Sequence, residues 1–287
     1  MEKNPFLEGF TEAEGIPELL AERNSYITKW LEGLRPSYIK IERNITVDFG
    51  LYGRKRWKTD DDDSICNCSP SAASPCGPNT GCLNRDMGYE CPESCLTGEL
   101  CQNQRLRYRQ YPGLKTFYTP DRGLALFTEE DIKKGDLVIE YVGEIITNQE
   151  RDQRLHIMSI CGDEDYYFLD LTEGRVIDAG PAGNLARFAN HSCDENCSSE
   201  KWKVDGETRI ALIAIKDIQA GEEITFDYRW QYQPGVPSRK CFCGTEKCRG
   251  EIGGKSRLQA ERQTKKKHEP LHKEPARNGR LAQMSSS

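Results

Sequence analysis

The sequence predicts a mixed α+β domain, mostly β, with cysteine-rich segments on both sides of it. Three observations carry that class. Globular composition runs from Arg105 to Tyr228 of the 287 residues. Within that stretch, short apolar runs alternate with glycine-containing turns, and only two pieces read as helix. Seven of the thirteen cysteines fall between Cys66 and Cys101, and three more between Cys241 and Cys248.

In chain order, residues 1–15 have no pattern and are expected to be loosely attached. Pro17–Leu34 reads as a helix, with Leu20, Ile27, Trp30, Leu31 and Leu34 on one stripe and Gly33 and Pro36 marking its end. Tyr38–Phe49 (YIKIERNITVDF) is strand-like, and the acidic run Asp60–Asp63 is a solvated loop. The Cys66–Cys101 segment is rich in Gly, Pro, Ser and Asn, so it cannot order itself by apolar burial. Arg122–Thr128 and Asp136–Ile146 read as strands, separated by the turn Lys133-Lys134-Gly135. Thr147 and Glu150 have capping-box spacing, which places a helix over Asn148–Ile160. Tyr166–Leu171 and Arg175–Gly180 form a hairpin around Glu173-Gly174, and a short helix covers Asn184–Ala189. Thr208–Ile218 and Glu222–Tyr228 are strands joined through Ala220-Gly221.

Net charge is −6, unevenly spread. Residues 253–287 carry nine Lys/Arg and three Asp/Glu, a charge of +6, which leaves −12 on residues 1–252. An acidic body favours a cationic substrate, and a basic tail favours an anionic contact. The longest apolar run, Ile210–Ile215, is far short of the ~20 residues of a membrane span. The opening MEKNPFLEGF lacks the apolar region of a secretory signal, so a reducing compartment is expected. Clustered cysteines then read as metal ligands, not disulfides.

The first cluster has spacing C66-x-C68-x7-C76-x5-C82-x8-C91-x3-C95-x5-C101. Structural zinc takes four ligands. Seven thiolates with no histidine among them serve two ions economically if one thiolate is shared; spacing alone does not select which. The second cluster, C241-x-C243-x4-C248, offers three thiolates, and Cys161, Cys193 and Cys197 are all candidates for the fourth.

Five motifs in order, RGLAL (Arg122–Leu126), EYVGEII (Glu140–Ile146), YYF (Tyr166–Phe168), DAGPAGNLARFANHSC (Asp178–Cys193) and GEEITFDY (Gly221–Tyr228), resemble the SET-domain protein lysine methyltransferases. CFCGTEKCRG (Cys241–Gly250) resembles their post-SET zinc segment, and the seven-cysteine block resembles the AWS (associated-with-SET) module. Together with KWKVDG (Lys201–Gly206) the pattern is most similar to the NSD and Ash-type enzymes. The resemblance implies a SET fold of small curved sheets with a threaded C-terminal pseudoknot. It divides the chain into an N-terminal extension with a helix (1–62), an AWS module with two zinc ions (63–107), a SET catalytic domain (108–232), a post-SET segment with one zinc (233–254) and a basic disordered tail (255–287).

The same resemblance implies S-adenosylmethionine as methyl donor and histone H3 in nucleosomes as partner, with lysine 36 as target and a mono- or dimethyl product, a higher one being left open. Another histone or non-histone lysine, and a catalytically weak chromatin-binding module, are the competing readings. A monomer in the nucleus, on the chromosome, is implied, with no membrane contact and with the basic tail against nucleosomal DNA. By motif, Arg122, Gly123, Leu124, Asp165, Tyr166, Tyr167, Asn190, His191, Arg239 and Phe242 carry the donor. Tyr228 is the catalytic tyrosine, Tyr167 and Phe226 belong to the lysine channel, and Arg187 shapes the site. Zinc ligands carry over as Cys66, Cys68, Cys76 and Cys82; as Cys76, Cys91, Cys95 and Cys101; and as Cys193, Cys241, Cys243 and Cys248. Residues Arg229–Lys240 correspond to a cover over the lysine channel. Two departures stand out: RGLAL in place of the family's RGWGL or KGWGL, and a longer Cys76–Cys82 gap than in many relatives.

Overall fold

The computed structural model describes residues 38–48, 51–53, 66–163, 165–172, 174–230 and 238–253. The helix expected at Pro17–Leu34, the acidic run Asp60–Asp63, most of the channel cover and the basic tail lie outside the described residues.

The strands are β1 (Ile39–Lys40), β2 (Ile45–Asp48) and β3 (Leu51–Gly53), followed by the one-turn helix α1 (Leu83–Asp86) in the cysteine block. The globular region then supplies β4 (Leu114–Thr119), β5 (Gly123–Thr128), β6 (Leu137–Tyr141), β7 (Glu144–Thr147), helix α2 (Asn148–Ile160), β8 (Phe168–Thr172), β9 (Arg175–Asp178) and β10 (Ala182–Gly183). It ends with β11 (Asn190–His191), β12 (Cys197–Val204), β13 (Glu207–Ala214) and β14 (Thr225–Phe226). Two five-stranded sheets result, ordered β11-β14-β12-β13-β6 and β3-β2-β7-β9-β8, beside a β4-β5 hairpin and a parallel β1-β10 pair. β14 sits between β11 and β12, both of which precede it in the chain. This is the mostly β arrangement expected of a SET fold, with a late strand inserted between two earlier ones.

Several elements differ from their expected form. DLVIEYVGEII is not one strand. It breaks after Tyr141, and β6 and β7 belong to different sheets. A Cβ on Gly143 would stand 2.4 Å from the Asp178 carbonyl oxygen, so only glycine permits the crossing. Asn184–Ala189 is a 3-10 turn over Leu185–Phe188, capped by the Asn184 side-chain oxygen, which accepts the Ala186 N–H at 3.1 Å. The expected Thr208–Ile218 strand ends at Ala214, and Glu222–Tyr228 contributes only Thr225–Phe226 as strand. β12 and β4 went unpredicted. β12 turns into β13 through Asp205 and Gly206, both at positive φ (51° and 76°), the backbone of a tight hairpin turn.

α2 spans the expected residues, with the Thr147 hydroxyl accepting the Glu150 N–H at 3.1 Å. None of its residues is buried, so an apolar stripe does not hold it. Arg154 does. Its guanidinium lies 2.7 Å from Glu144, 2.6 Å from Asp178 and 3.0 Å from Glu150.

The main core joins the sheets through Leu126, Val138, Ile139, Tyr141, Ile177, Ile210, Leu212, Ile224 and Phe226. The cysteine block docks on the edge of β12: the Glu90 N–H donates to Lys203 O at 2.9 Å and the Lys203 N–H to Gly88 O at 2.8 Å. Of the described residues, 229–230, 238–240 and 250–253 form a unit of their own. Within it, β15 (Arg239–Lys240) pairs antiparallel with β16 (Glu251–Ile252), and the Arg239 guanidinium lies 5.7 Å from the Trp230 ring centre. Among the described residues no helix is long and apolar enough to cross a membrane.

Candidate active site and metal centres

All thirteen cysteines are free thiols. In the first block, sulfur–sulfur distances are 3.5 Å (Cys66–Cys76), 3.8 Å (Cys66–Cys95, Cys66–Cys91) and 3.9 Å (Cys76–Cys95, Cys82–Cys91). Tetrahedral zinc with bonds of about 2.3 Å puts its sulfurs about 3.8 Å apart, so the donor set fits the ion. Two groups of four sulfurs converge: Cys66, Cys68, Cys76 and Cys82, and Cys66, Cys76, Cys91 and Cys95. The second differs from the expected set by Cys66 in place of Cys101. Cys101 stands beside Cys91, whose hydrogen bond draws its thiol down to about 5. Burial pushes Cys76 and Cys95 above the ordinary thiol range, and for Cys91 the bond with Cys101 and burial act together. Packing these thiols is unfavourable unless a cation replaces their protons.

Cys193 joins Cys241, Cys243 and Cys248 in a third group, with Cys193 and Cys241 sulfurs 3.8 Å apart. The other two candidates lie elsewhere. Cys161 is exposed at the end of α2, and Cys197 is buried opposite Phe226, its thiol pushed up to about 12 by burial.

Parallel pairing of β11 with β14 sets His191 opposite Phe226 and so brings NHSC to ITFDY. The Tyr228 hydroxyl donates to Ala189 O at 3.2 Å, and its ring lies 5.0 Å from Phe226 and 5.4 Å from His191. The Tyr228 N–H donates to His191 Nδ1 at 3.2 Å. His191 Nε2 is 3.4 Å from Cys193 Sγ. Burial holds the His191 pKa below the ordinary range, so the ring is neutral, and it stands between a sulfur of the third metal group and the Tyr228 backbone, with the Arg249 guanidinium 3.3 Å from Nε2. Arg249 closes the same corner, its N–H on Cys193 Sγ at 3.3 Å and its guanidinium on Asp227 at 2.9 Å.

Tyr167 receives the Tyr141 hydroxyl on its carbonyl at 3.0 Å, and the Arg187 guanidinium carbon lies 3.9 Å from its ring centre. Arg187 Nε donates to Ala179 O at 2.8 Å. Arg187 is thereby placed against Tyr167. Burial pushes the phenols of Tyr141, Tyr167 and Tyr228 above the ordinary tyrosine range.

Beside this aromatic group, Arg122 makes a two-pronged ion pair with Glu223 at 2.7 and 2.8 Å. The Asn190 amide donates to Glu223 at 3.2 Å and to Leu124 O at 3.4 Å. Gly123 has φ +69°, and nothing lies within 4 Å of where its Cβ would be, so the backbone there is open to a ligand. Leu124 is 44% exposed, whereas Ala125 is fully buried in the core. The alanine of RGLAL therefore faces inward, and the leucine is the departure that meets solvent. Phe242 is also 44% exposed. Asp165 is exposed, its N–H donating to Asp163 at 3.0 Å, and Tyr166 is half-buried. Arg239 belongs to the separate small unit. Tyr141, Glu223 and Asn196, which holds Glu223 O and the Thr225 N–H at 2.7 and 2.8 Å, escaped the sequence reading, although Tyr141 and Glu223 stand inside quoted motifs.

The family model described as the SET domain matches residues 123–229, and that of the AWS domain matches residues 73–109. The chain carries an AWS domain followed by a SET domain. The aligned residues of this chain are 43% identical, over 219 positions, to the mouse "Histone-lysine N-methyltransferase, H3 lysine-36 specific", covering 75% of this chain and 8% of that protein. Over 205 residues the chain is 39% identical to Arabidopsis thaliana "Histone-lysine N-methyltransferase ASHH2", covering 71% of this chain and 12% of the relative. The chain thus spans about a tenth of these curated relatives. Among solved structures, ctPRC2 in an autoinhibited conformation bound to S-adenosylmethionine superposes with TM-score 0.52 at 32% identity, over 57% of this chain and 24% of that one.

Proposed function

We propose that this SET-domain protein transfers a methyl group from S-adenosylmethionine to a histone lysine, with lysine 36 of histone H3 in nucleosomes as its target. The observation that carries the reading is the meeting of Tyr141, Tyr167, Phe226 and Tyr228 with Asn190 and His191 in one buried corner. Relatives named for H3 lysine 36 support the choice of target. They equally support action in the nucleus on the chromosome. Seven thiolates of the AWS block hold two zinc ions; Cys66 and Cys76 are both common to the two sulfur groups, and of these Cys76 is the shared ligand that the family pattern selects, while Cys193, Cys241, Cys243 and Cys248 hold a third ion.

The open backbone at Gly123, the Asn190 amide, His191 and the exposed faces of Leu124 and Phe242 are the residues that hold the donor. When bound, S-adenosylmethionine supplies the methyl group on a good leaving group. The remaining difficulty is the acceptor. A free lysine has pKa about 10.4, so about one in 2,500 is neutral at pH 7. An aromatic wall of Tyr167 and Phe226 disfavours the ammonium by desolvation, and the proton leaves to water. Burial keeps the Tyr228 phenol protonated at neutral pH, so it acts by positioning and by its dipole, not as a base. His191 is occupied at both ring nitrogens, which excludes it as a general base.

A second reading, a weakly active chromatin-binding module, draws on the exposed Leu124 in place of a tryptophan. One experiment separates the two. Recombinant nucleosomes with native H3, or with lysine 36 replaced by alanine, are incubated with the chain and isotope-labelled donor. Label on native H3 alone, mapped by mass spectrometry to lysine 36, is expected. Equal label on both substrates moves the target to another lysine, and binding without label leaves the module.

A further inference from the structure

The segment before the cysteine block lies outside both matched domains, yet it is built into the main unit. The Ile39 and Ile41 N–H groups donate to Pro181 O and Gly183 O at 2.9 Å each, so β1 extends β10 as a parallel strand. Further on, the Asn44 side-chain oxygen accepts the Gly143 N–H at 2.9 Å, and β2 pairs with β7. Both anchors fall on turns that border the aromatic corner: Gly143 follows Tyr141, and residues 178–183 lead into the turn that carries Arg187.

This pairing delivers Tyr38 to Arg187. The Tyr38 ring packs edge-on against Phe188 with centres 5.6 Å apart. The Arg187 guanidinium carbon lies 4.4 Å from the Tyr38 ring centre and 3.9 Å from that of Tyr167. One cation is shared by two tyrosines, one from the leading segment and one from the acceptor wall. Its Nε and one Nη donate to Ala179 O at 2.8 Å and Gly180 O at 3.5 Å, the backbone on which Tyr167 rests. Two carbonyls cover only one edge of the guanidinium and leave its faces to the rings. A ring laid over it excludes water and strengthens its attraction for the second ring.

We propose that Tyr38 is a positioning residue of the methyl-transfer site: through Arg187 it fixes the ring of Tyr167, which makes the segment 38–48 a working part of the acceptor channel. The proposal rests on Tyr167 lining that channel, as argued above. A wall ring that gains rotamer freedom lets the acceptor nitrogen sample unproductive poses, which lowers turnover without touching the donor or the metal groups.

The test compares the full chain with its Tyr38→Ala, Tyr38→Leu and Tyr38→Phe variants. Turnover on recombinant nucleosomes, the ratio of mono- to dimethyl product, donor affinity by calorimetry, zinc content and thermal midpoint are measured on each. We expect Tyr38→Ala and Tyr38→Leu to lower kcat about tenfold and to alter the product ratio, with donor Kd and zinc content unchanged, and Tyr38→Phe to recover kcat to within about twofold. The leucine variant keeps apolar cover if the alanine variant fails to fold. Unchanged kcat and product ratio in folded Tyr38→Leu, whatever its thermal midpoint, overturns the proposal. A second readout needs no turnover. The Tyr167 ring resonance, assigned by its loss in Tyr167→Phe, shifts and broadens in Tyr38→Leu if the stack sets the ring, and stays in place if it does not. Absence of methyl transfer by the unaltered chain counts against the function; an unmoved Tyr167 signal counts against this inference.

Discussion

At the scale of single residues, Phe226 and Glu140 each carry a measurable consequence. Phe226 is buried with its ring 5.0 Å from Tyr228, and if it lines the acceptor channel as proposed, a para hydroxyl added to it takes space that the lysine nitrogen needs. Phe226→Tyr should therefore shift the product from dimethyl- toward monomethyllysine while leaving the first transfer within about tenfold. An unchanged product mixture by mass spectrometry would refute the assignment. Glu140 is a matter of stability. Burial raises its carboxyl from 4.5 to about 7, against the pull of Arg209, which stands 3.9 Å away. A carboxyl whose pKa rises on folding binds its proton more tightly in the folded state. Its stabilising contribution is complete below about pH 4 and is lost as pH rises to 7. Glu140→Gln should melt with the unaltered chain at pH 4.5 and about 2–5 °C above it at pH 8. Parallel melting curves at both pH values would show that the charge is not buried as described.

At the scale of elements, α2 and the segment Cys241–Arg249 are both held by something other than apolar packing. The side chains of Glu144 and Asp178 are 1% and 5% exposed and face Arg154. Arg154→Met keeps the bulk but strands two buried carboxylates, at a cost of about 3–5 kcal/mol in a denaturant melt; a loss below 1 kcal/mol would mean water already reaches them. Cys193→Ser acts differently. Structural zinc contributes on the order of 10–16 kcal/mol where it orders a segment. The variant should lose one of the three proposed zinc ions by elemental analysis and lose donor binding with it, because His191 lies between Cys193 and Tyr228. Full zinc content would remove Cys193 from the ligand set. These two elements also mark what the sequence made legible. Thr147 and Glu150 fixed the start of α2 because capping is local. NHSC and ITFDY were readable because each motif is contiguous, and thirteen cysteines announce metal by number alone. The break at Gly143 was hidden, since the oxygen that excludes a side chain there belongs to Asp178. The Arg122–Glu223 pair and the Tyr38–Arg187–Tyr167 stack were hidden for the same reason: each joins residues far apart in the chain, and spacing carries no record of such contacts.

At the scale of the whole molecule, charge is divided by position. Residues 1–252 carry −12 and residues 253–287 carry +6. A negatively charged body attracts a lysine-rich histone segment but is repelled by the DNA wound around it. A nucleosomal substrate therefore needs a cationic element to offset that repulsion, and the tail, with Lys265, Lys266 and Lys267 in sequence, is the part of the chain with that composition. It has no aromatic residue, so its contact would be with phosphates and not with bases. Phosphate contacts release counterions, and each weakens affinity with salt by about 0.9 in a log–log plot. Removing residues 255–287 should lower nucleosome affinity at least about tenfold near 0.15 M salt and flatten that plot by about 2 or more. Turnover on a free histone H3 peptide should not change, since the peptide offers no phosphate. If the truncated chain binds nucleosomes with the same affinity and the same salt slope, the tail is merely solvated, and the acidic body must engage its substrate without electrostatic help from it.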